Sequence, residues 1–438
     1  MHVILDISRL LSCVHRRSPS GIDRVEMAYA KHWIQIPAAD CSFVAQSPWG
    51  WFGNVARGRV AALLAALEET WSLGIAPPDP LHRARRTAAG ILAQLTLGSG
   101  RAALQATLEG RRRSIFLLVS HRSLEREAPI AALRRAGARF VPLIHDLIPL
   151  THPEYSRPRQ IACHAARVAT TATQADGIIV NSVATAATLL PRLALHGRSM
   201  PPMTVAALGV EATPPPPPLL RTEPYFVCLG TIEPRKNHLL LLHVWRDLAS
   251  RAPAGQPPPR LLIIGRRGWE NENVVDLLER CDTLRDLVLE LGCISDKRVI
   301  DLVAGASALL YPSFVEGYGL PVAEALAMGV PVLCSDVSPL REVGGEVPEY
   351  LDPLDGPAWR RMILAYAEPG STARAAQLAR LQGWTAPRWS DHFAAVDRLL
   401  EQVAGVPGLV SRPVPAPQPV PVGEPTLAPV PVREPTLA

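Results

Sequence analysis

Short apolar runs alternate with stretches of helical spacing along most of the chain. In the first half the runs are His2 to Ile7, Ser114 to Ser120, Arg139 to Ile144 and Gly177 to Val180. In the second half they are Tyr225 to Gly230, Arg260 to Gly265, Leu287 to Gly292, Ala308 to Tyr311 and Val330 to Leu333. Runs this short with no polar alternation read as strands covered on both faces. Helical spacing fills the intervals: 21–31, 125–136, 183–190, the stretch from His238, 296–304 and 357–403. Strand–helix alternation predicts an α/β chain built on parallel sheets.

The alternation breaks at Ala212-Thr-Pro-Pro-Pro-Pro-Pro-Leu219, which can continue neither sheet nor helix and reads as an extended polyproline spacer. The pattern therefore divides into a first domain over 1–212, a linker over 213–224, a second domain over 225–383 and a last helix over 384–404. Trp384 and Trp389 are its candidate anchors. Residues 55–114 are rich in Ala, Leu and Arg and read as a wholly helical insert in the first domain. Arg83, Arg85, Arg86 and Arg111 to Arg113 cluster there. Such a segment suits peripheral contact with an anionic membrane and equally the solvated face of a helix pair. From 405 to 438 the composition collapses to Pro, Val, Ala, Thr and Glu. The segment Pro419-Val-Pro-Val-Gly-Glu-Pro-Thr-Leu-Ala428 recurs as Pro429-Val-Pro-Val-Arg-Glu-Pro-Thr-Leu-Ala438, which has no means of burying a core and is expected to be disordered.

Composition narrows the class. The 438 residues are 48% hydrophobic, enough for two domain cores, and the net charge of +5 is compatible with an anionic substrate or an acidic surface. No dense Lys/Arg run with interleaved aromatics is present, so nucleic-acid binding is not expected. Seven cysteines occur with no Cys-x-x-Cys pair, which fits a reducing compartment. Met1-His-Val-Ile-Leu-Asp6 meets an acid too early for a secretory signal, and no apolar run is long enough to span a membrane. A cytoplasmic protein is expected, with the inner face of the membrane as an alternative site for the Arg-rich insert.

Candidate chemistry concentrates between 308 and 334. Ala308 to Tyr311 reads as a strand, 312–319 as a Gly-rich loop, 320–328 as a short helix with Pro321 in its first turn, and Val330 to Leu333 as the next strand. Glu316 and Glu324 thus straddle a helix N-terminus, where free N–H groups attract anions. Gly317 and Gly319 allow close backbone approach to a ligand. Carboxylates beside an anion site accept hydrogen bonds from hydroxyls, so the implied ligand combines phosphate with polyol, as a nucleotide sugar does. Arg235 and Lys236 lie in a strand-to-helix turn, well placed to neutralise a diphosphate, with Asn237 as a candidate N-cap. His145 and Asp146 fall at the carboxyl end of a strand, the side on which open α/β sheets bind ligands, and Gly21 at a helix entrance.

Glu316-Gly-Tyr-Gly-Leu-Pro-Val-Ala-Glu324 resembles the E-x7-E motif of the retaining GT-B glycosyltransferases, glycosyltransferase family 4 or group 1. Gly230-Thr-Ile-Glu-Pro-Arg-Lys-Asn237 resembles that family's diphosphate-binding loop. Asp6-Ile-Ser-Arg9, Ser20-Gly-Ile-Asp-Arg-Val25, His145-Asp-Leu-Ile-Pro149 and His152-Pro-Glu-Tyr155 resemble its mannosyltransferase-like branch. The resemblance implies a GT-B fold, two Rossmann-like parallel-sheet domains facing a cleft, with the last helix crossing back to the first domain. It further implies that Glu316 and His145 face the transferred sugar, that Glu324 holds the ribose, and that Arg235, Lys236, Gly319, Leu320, Gly21 and Asp146 complete the nucleotide-sugar site.

The reaction expected is metal-independent transfer, with retention, of a sugar such as mannose from GDP-mannose. The acceptor expected is a hydroxyl of a glycan or lipid-linked saccharide in surface-polysaccharide assembly. No Asp-x-Asp occurs, so no metal and no other cofactor is expected. A nicotinamide oxidoreductase is disfavoured because no Gly-x-Gly-x-x-Gly follows a strand. A sugar-nucleotide epimerase of the same fold and a non-catalytic partner protein remain as alternatives.

Overall fold

The computed structural model describes residues 1–73, 79–110, 113–211, 223–253, 255 and 257–405. Most of the proline linker, Arg111, Arg112 and the repeated tail lie outside the described residues.

The first sheet has seven strands in the order β3-β2-β1-β4-β5-β6-β7. These are β1 His2–Asp6, β2 Cys41–Gln46, β3 Phe52–Val55, β4 Ser114–Leu118, β5 Arg139–Ile144, β6 Ile178–Val180 and β7 Met203–Val205. The second has six, in the order β10-β9-β8-β11-β12-β13. They are β8 Tyr225–Leu229, β9 Arg260–Ile264, β10 Val288–Leu291, β11 Ala308–Tyr311, β12 Val332–Ser335 and β13 Glu349–Leu351. Every recorded pairing is parallel except β2 with β3. Each sheet reverses its strand order once, between β1 and β4 and between β8 and β11. Loops diverge at such a reversal and open a crevice beyond the strand ends. Both crevices face the same gap.

Local signals explain the elements that frame it. The five residues of β1 are all buried, which is why they show no polar alternation. The helix Gly21–Gln35 opens with a capping box, Ser20 accepting from the Asp23 N–H while the Asp23 carboxylate accepts from the Ser20 N–H. Leu320–Ala327 follows Gly319, whose φ of 110° admits little but glycine. Ser295 caps Asp296–Ala304.

The last helix, Trp389–Ala404, crosses back onto the first lobe. The Tyr29 hydroxyl lies 2.7 Å from His392 Nε2, and Phe393 stacks on His32 with ring centres 3.8 Å apart. A Cβ on Gly209 would meet the Trp389 backbone nitrogen at 2.2 Å, so only glycine lets the helix start so close. Trp384 anchors elsewhere, donating to the Val343 carbonyl of the second lobe at 3.0 Å.

Two expectations need correcting. The insert is not wholly helical: its first residue, Val55, closes β3, and helices cover Arg57–Leu73, Pro80–Thr96 and Arg101–Glu109. Asn237 is not a side-chain N-cap. It adopts a left-handed φ of 54° and directs its amide to the carbonyls of Pro312 and Pro353, at 3.2 and 2.9 Å. It thereby ties the loop after β8 to the segment after β11.

Candidate active site between the two sheets

A cavity of about 850 Å³ lies between the lobes, a volume typical of small-molecule sites. Gly21, His145, Asp146, Arg235, Lys236, Glu316, Gly319, Leu320 and Glu324 all line it, so residues as far apart in sequence as 21 and 324 come to one surface.

The second lobe contributes a compact charge network. Arg235 Nη1 lies 2.8 Å from Glu316 Oε2, and its Nε lies 2.6 Å from Glu233. Lys236 Nζ reaches the other Glu316 oxygen at 2.5 Å and the Tyr311 hydroxyl at 2.5 Å, and it sits over the Tyr311 ring. Burial alone would raise the Glu316 pKa, but Arg235 and Lys236 outweigh it and hold the carboxyl at about 2. Two cations and two carboxylates thus balance within one wall of the cavity.

Glu324 stands apart. Its carboxylate makes no hydrogen bond or ion pair to the other described residues, and burial raises its pKa against the pull of Arg24. Its carboxylate remains available to hydroxyl donors.

The first lobe contributes buried imidazoles. His145 Nε2 donates to the Val119 carbonyl at 2.8 Å, which leaves Nδ1 without a proton, and the His145 N–H donates to His121 Nε2 at 3.1 Å. Burial lowers the His145 pKa to about 4 despite the Val119 bond. The ring is therefore a neutral hydrogen-bonding group at pH 7 and not a cation. His164 accepts from Arg167 Nη1 through Nδ1 at 3.1 Å, and its Nε2 lies 3.8 Å from the Asp146 carboxylate.

The lobes touch around the cavity in a closed arrangement. The Ser182 hydroxyl donates to the Gly317 carbonyl at 2.9 Å, and Tyr318 donates to Leu208 at 2.8 Å. Glu342 accepts from the Val183 and Ala184 N–H groups at the start of a first-lobe helix, at 2.6 and 2.8 Å. Arg24 forms a forked pair with Asp296, at 2.9 and 2.6 Å. The Tyr155 and Phe314 rings stack at 5.2 Å with an interplanar angle of 2°.

Sequence reasoning missed Arg9, His121, His164, Arg167 and Arg266, all of which line the cavity. For Arg9 a signal was present: the Ser20-x-x-Asp23 box places a buried carboxylate that Arg9 grips at 2.6 Å. For the histidines there was none, because their convergence is purely tertiary. Among the described residues no group of three His, Cys, Asp or Glu side chains is arranged to hold a metal ion, and no helix is long and apolar enough to cross a membrane.

Comparison with known proteins places this geometry. The family model described as glycosyl transferases group 1 matches residues 211–346. Over 165 residues the chain is 38% identical to the O-antigen chain mannosyltransferase B of Escherichia coli, covering 36% of this chain and 42% of that one. Over 253 residues it is 28% identical to the serotype-specific mannosyltransferase WbdA of Escherichia coli, covering 52% and 30%. The chain thus spans less than half the length of these curated relatives. Among solved structures, HepE of Anabaena in complex with UDP and glucose superposes with a TM-score of 0.61 at 15% identity, covering 93% of this chain and 100% of that one. Sucrose-phosphate synthase of Thermosynechococcus elongatus gives 0.60 at 17% identity, covering 92% and 100%. Residues 211–346 thus match the group 1 glycosyltransferases, in a chain that has the GT-B fold and is similar over part of its length to bacterial O-antigen mannosyltransferases.

Proposed function

We propose that the chain transfers a hexosyl group, mannose from GDP-mannose in the preferred form, to a hydroxyl of a glycan or lipid-linked saccharide during surface-polysaccharide assembly. The observation that carries this reading is the single cavity in which Arg235, Lys236, Glu316 and Glu324 of the second lobe meet His145 of the first. The kinship with O-antigen mannosyltransferases supports mannose. HepE, whose structure holds UDP and glucose, supports a nucleotide donor.

In the mechanism we propose, the nucleotide lies on the second lobe, its ribose hydroxyls donating to Glu324. The diphosphate lies between the start of helix Leu320–Ala327 and the Arg235–Lys236 turn, where helix dipole and cations stabilise the leaving charge without a metal. Glu316 and the neutral His145 ring hold hydroxyls of the transferred sugar, His145 through its bare Nδ1. Attack from the face the diphosphate leaves, with the acceptor proton passing to a departing phosphate oxygen, gives retention. We place this reaction at the cytoplasmic side of the membrane.

The test is a thermal-shift panel of GDP, UDP, ADP and dTDP, each with and without EDTA, on wild type and Arg235→Ala. A ligand at about 100 times its Kd adds roughly 2.7 kcal/mol to the folded state. One nucleotide that stabilises wild type, ignores EDTA and fails on the variant is the expected result. No shift with any of the four would overturn the reading.

A further inference from the structure

The charge balance of the cavity points to a cation outside the motif. Arg235 and Lys236 are matched by Glu233 and Glu316. A diphosphate arriving there meets two cations already neutralised, and unless the glutamates are displaced its own charge needs another counterpart. The cavity holds one at its other edge. Arg9 of the first lobe lies 2.6 Å from the buried Asp23, which also pairs with Arg16 at 3.3 Å. Arg266 of the second lobe lines the same cavity and has no ion pair among the described residues. Arg9 and Arg16 therefore share one carboxylate, and Arg266, within the field of Asp23 and Glu233, has none paired to it, so guanidinium groups outnumber carboxylates at this edge. Burial, Arg16 and Arg9 together lower the Arg266 pKa, as expected for a cation crowded by like charges.

Arg266 is also joined to the cation-bearing turn through the backbone. The Ile232 N–H donates to the Arg266 carbonyl at 2.9 Å, and the Gly268 N–H donates back to Ile232 at 2.9 Å. The segment after β9 thus runs alongside the loop that carries Arg235 and Lys236. A Cβ on Gly268 would stand 2.7 Å from the Ile232 carbonyl, so the close approach depends on glycine.

We propose that Arg266, with Arg9 on the opposite lobe of the same cavity, binds the diphosphate of the donor and supplies the charge that Arg235 and Lys236 have already committed to Glu233 and Glu316. This rests on the nucleotide-sugar reading of the cavity. A diphosphate at the Arg235–Lys236 turn that is also reached by Arg266 and, from the first lobe, by Arg9 bridges the lobes, so donor binding itself favours the closed arrangement.

The experiment is calorimetric titration of the full chain with pyrophosphate, GDP and UDP, on wild type, Arg266→Ala, Arg266→Lys and Arg267→Ala. Arg267 is the control: it is adjacent and cationic, but engaged by Glu279 and Glu290 and absent from the cavity lining. Arg266→Ala is expected to weaken pyrophosphate and the preferred nucleotide about tenfold or more, Arg266→Lys less, and Arg267→Ala by no more than about twofold. Equal binding by Arg266→Ala and wild type overturns the role of Arg266, as does an equal loss in Arg267→Ala, and in either case nucleotide binding by wild type leaves the donor reading standing. Arg266-dependent binding of pyrophosphate without any nucleotide binding supports the anion site and removes the donor reading. Binding of none of the three removes both.

Discussion

The backbone of Gly317 rests against the carbonyl of His145: a Cβ at position 317 would stand 2.5 Å from that oxygen and 2.8 Å from the Asp146 Cβ. The glycine that follows the motif glutamate is therefore an interlobe contact, and its missing side chain sets how far the cleft closes. Gly317→Ala is expected to keep nucleotide affinity, since the added Cβ meets only first-lobe atoms, and to cut transfer by about 100-fold, the scale that a displacement of about 1 Å costs an oriented reaction. Steady-state rates beside nucleotide titrations check this; a variant with both values intact would remove the steric argument.

Glu316 holds Arg235 and Lys236 as well as facing the cavity. Glu316→Gln should abolish transfer and leave two buried cations short of a partner. Without ligand the loss of stability should be about 3 kcal/mol, the lower range for breaking a buried pair. Added nucleotide should recover much of it, because the diphosphate replaces the lost charge. Denaturant unfolding with and without GDP reads both effects. Near-normal transfer by this variant would end the assigned role of Glu316.

Arg24 and Asp296 bridge the lobes from partly exposed positions. Arg24→Ala should cost about 1 kcal/mol or less in stability while widening the cleft. The expected signature is a larger radius of gyration in solution scattering and a several-fold rise in donor KM with kcat little changed. An unchanged radius and KM would make the pair incidental.

Stability at mildly alkaline pH should be governed by an acid pair beneath the cleft. Asp6 and Glu26 are both fully buried, with Asp6 Oδ2 and Glu26 Oε2 lacking hydrogen-bond partners among the described residues. Burial raises Asp6 to about 7 and, with the Asp6 charge, Glu26 to about 8. A raised folded-state pKa contributes stability below the unfolded value that is lost as pH rises through the folded one. Unfolding free energy should therefore fall between about pH 4 and pH 8. Glu26→Gln, which can still accept from the Leu10 N–H as Glu26 does at 2.9 Å, should flatten that fall and raise the melting temperature at pH 8.5. A steeper decline in the variant would contradict the pairing.

Much of this architecture was legible because its signals are local. Buried parallel strands such as β1, β4 and β8 show as unbroken apolar runs, and the turn chemistry around Gly319 and Pro321 sets a helix start whatever surrounds it. The hairpin of β2 and β3 was not legible. Cys41–Gln46 mixes polar with apolar residues, and Phe52–Val55 carries a glycine and an asparagine that argue against a strand until the partner is known. The candidate site divides in the same way. Glu316, Glu324, Arg235 and Lys236 sit in loops whose shape their neighbours dictate. Arg24 finds Asp296 across 272 positions, and His121 meets both His145 and His164 through packing that no window on the sequence contains.

The return of helix Trp389–Ala404 to the first lobe has a practical corollary. Its Tyr29, His32 and Gly209 contacts make the C-terminal helix a component of the N-terminal lobe. A chimaera that exchanges donor-side halves between relatives at the proline linker alone would graft a foreign helix onto a surface shaped for another. The swap should carry residues 225–388 and leave 389–404 native, so that a change of donor preference can be read without a folding defect.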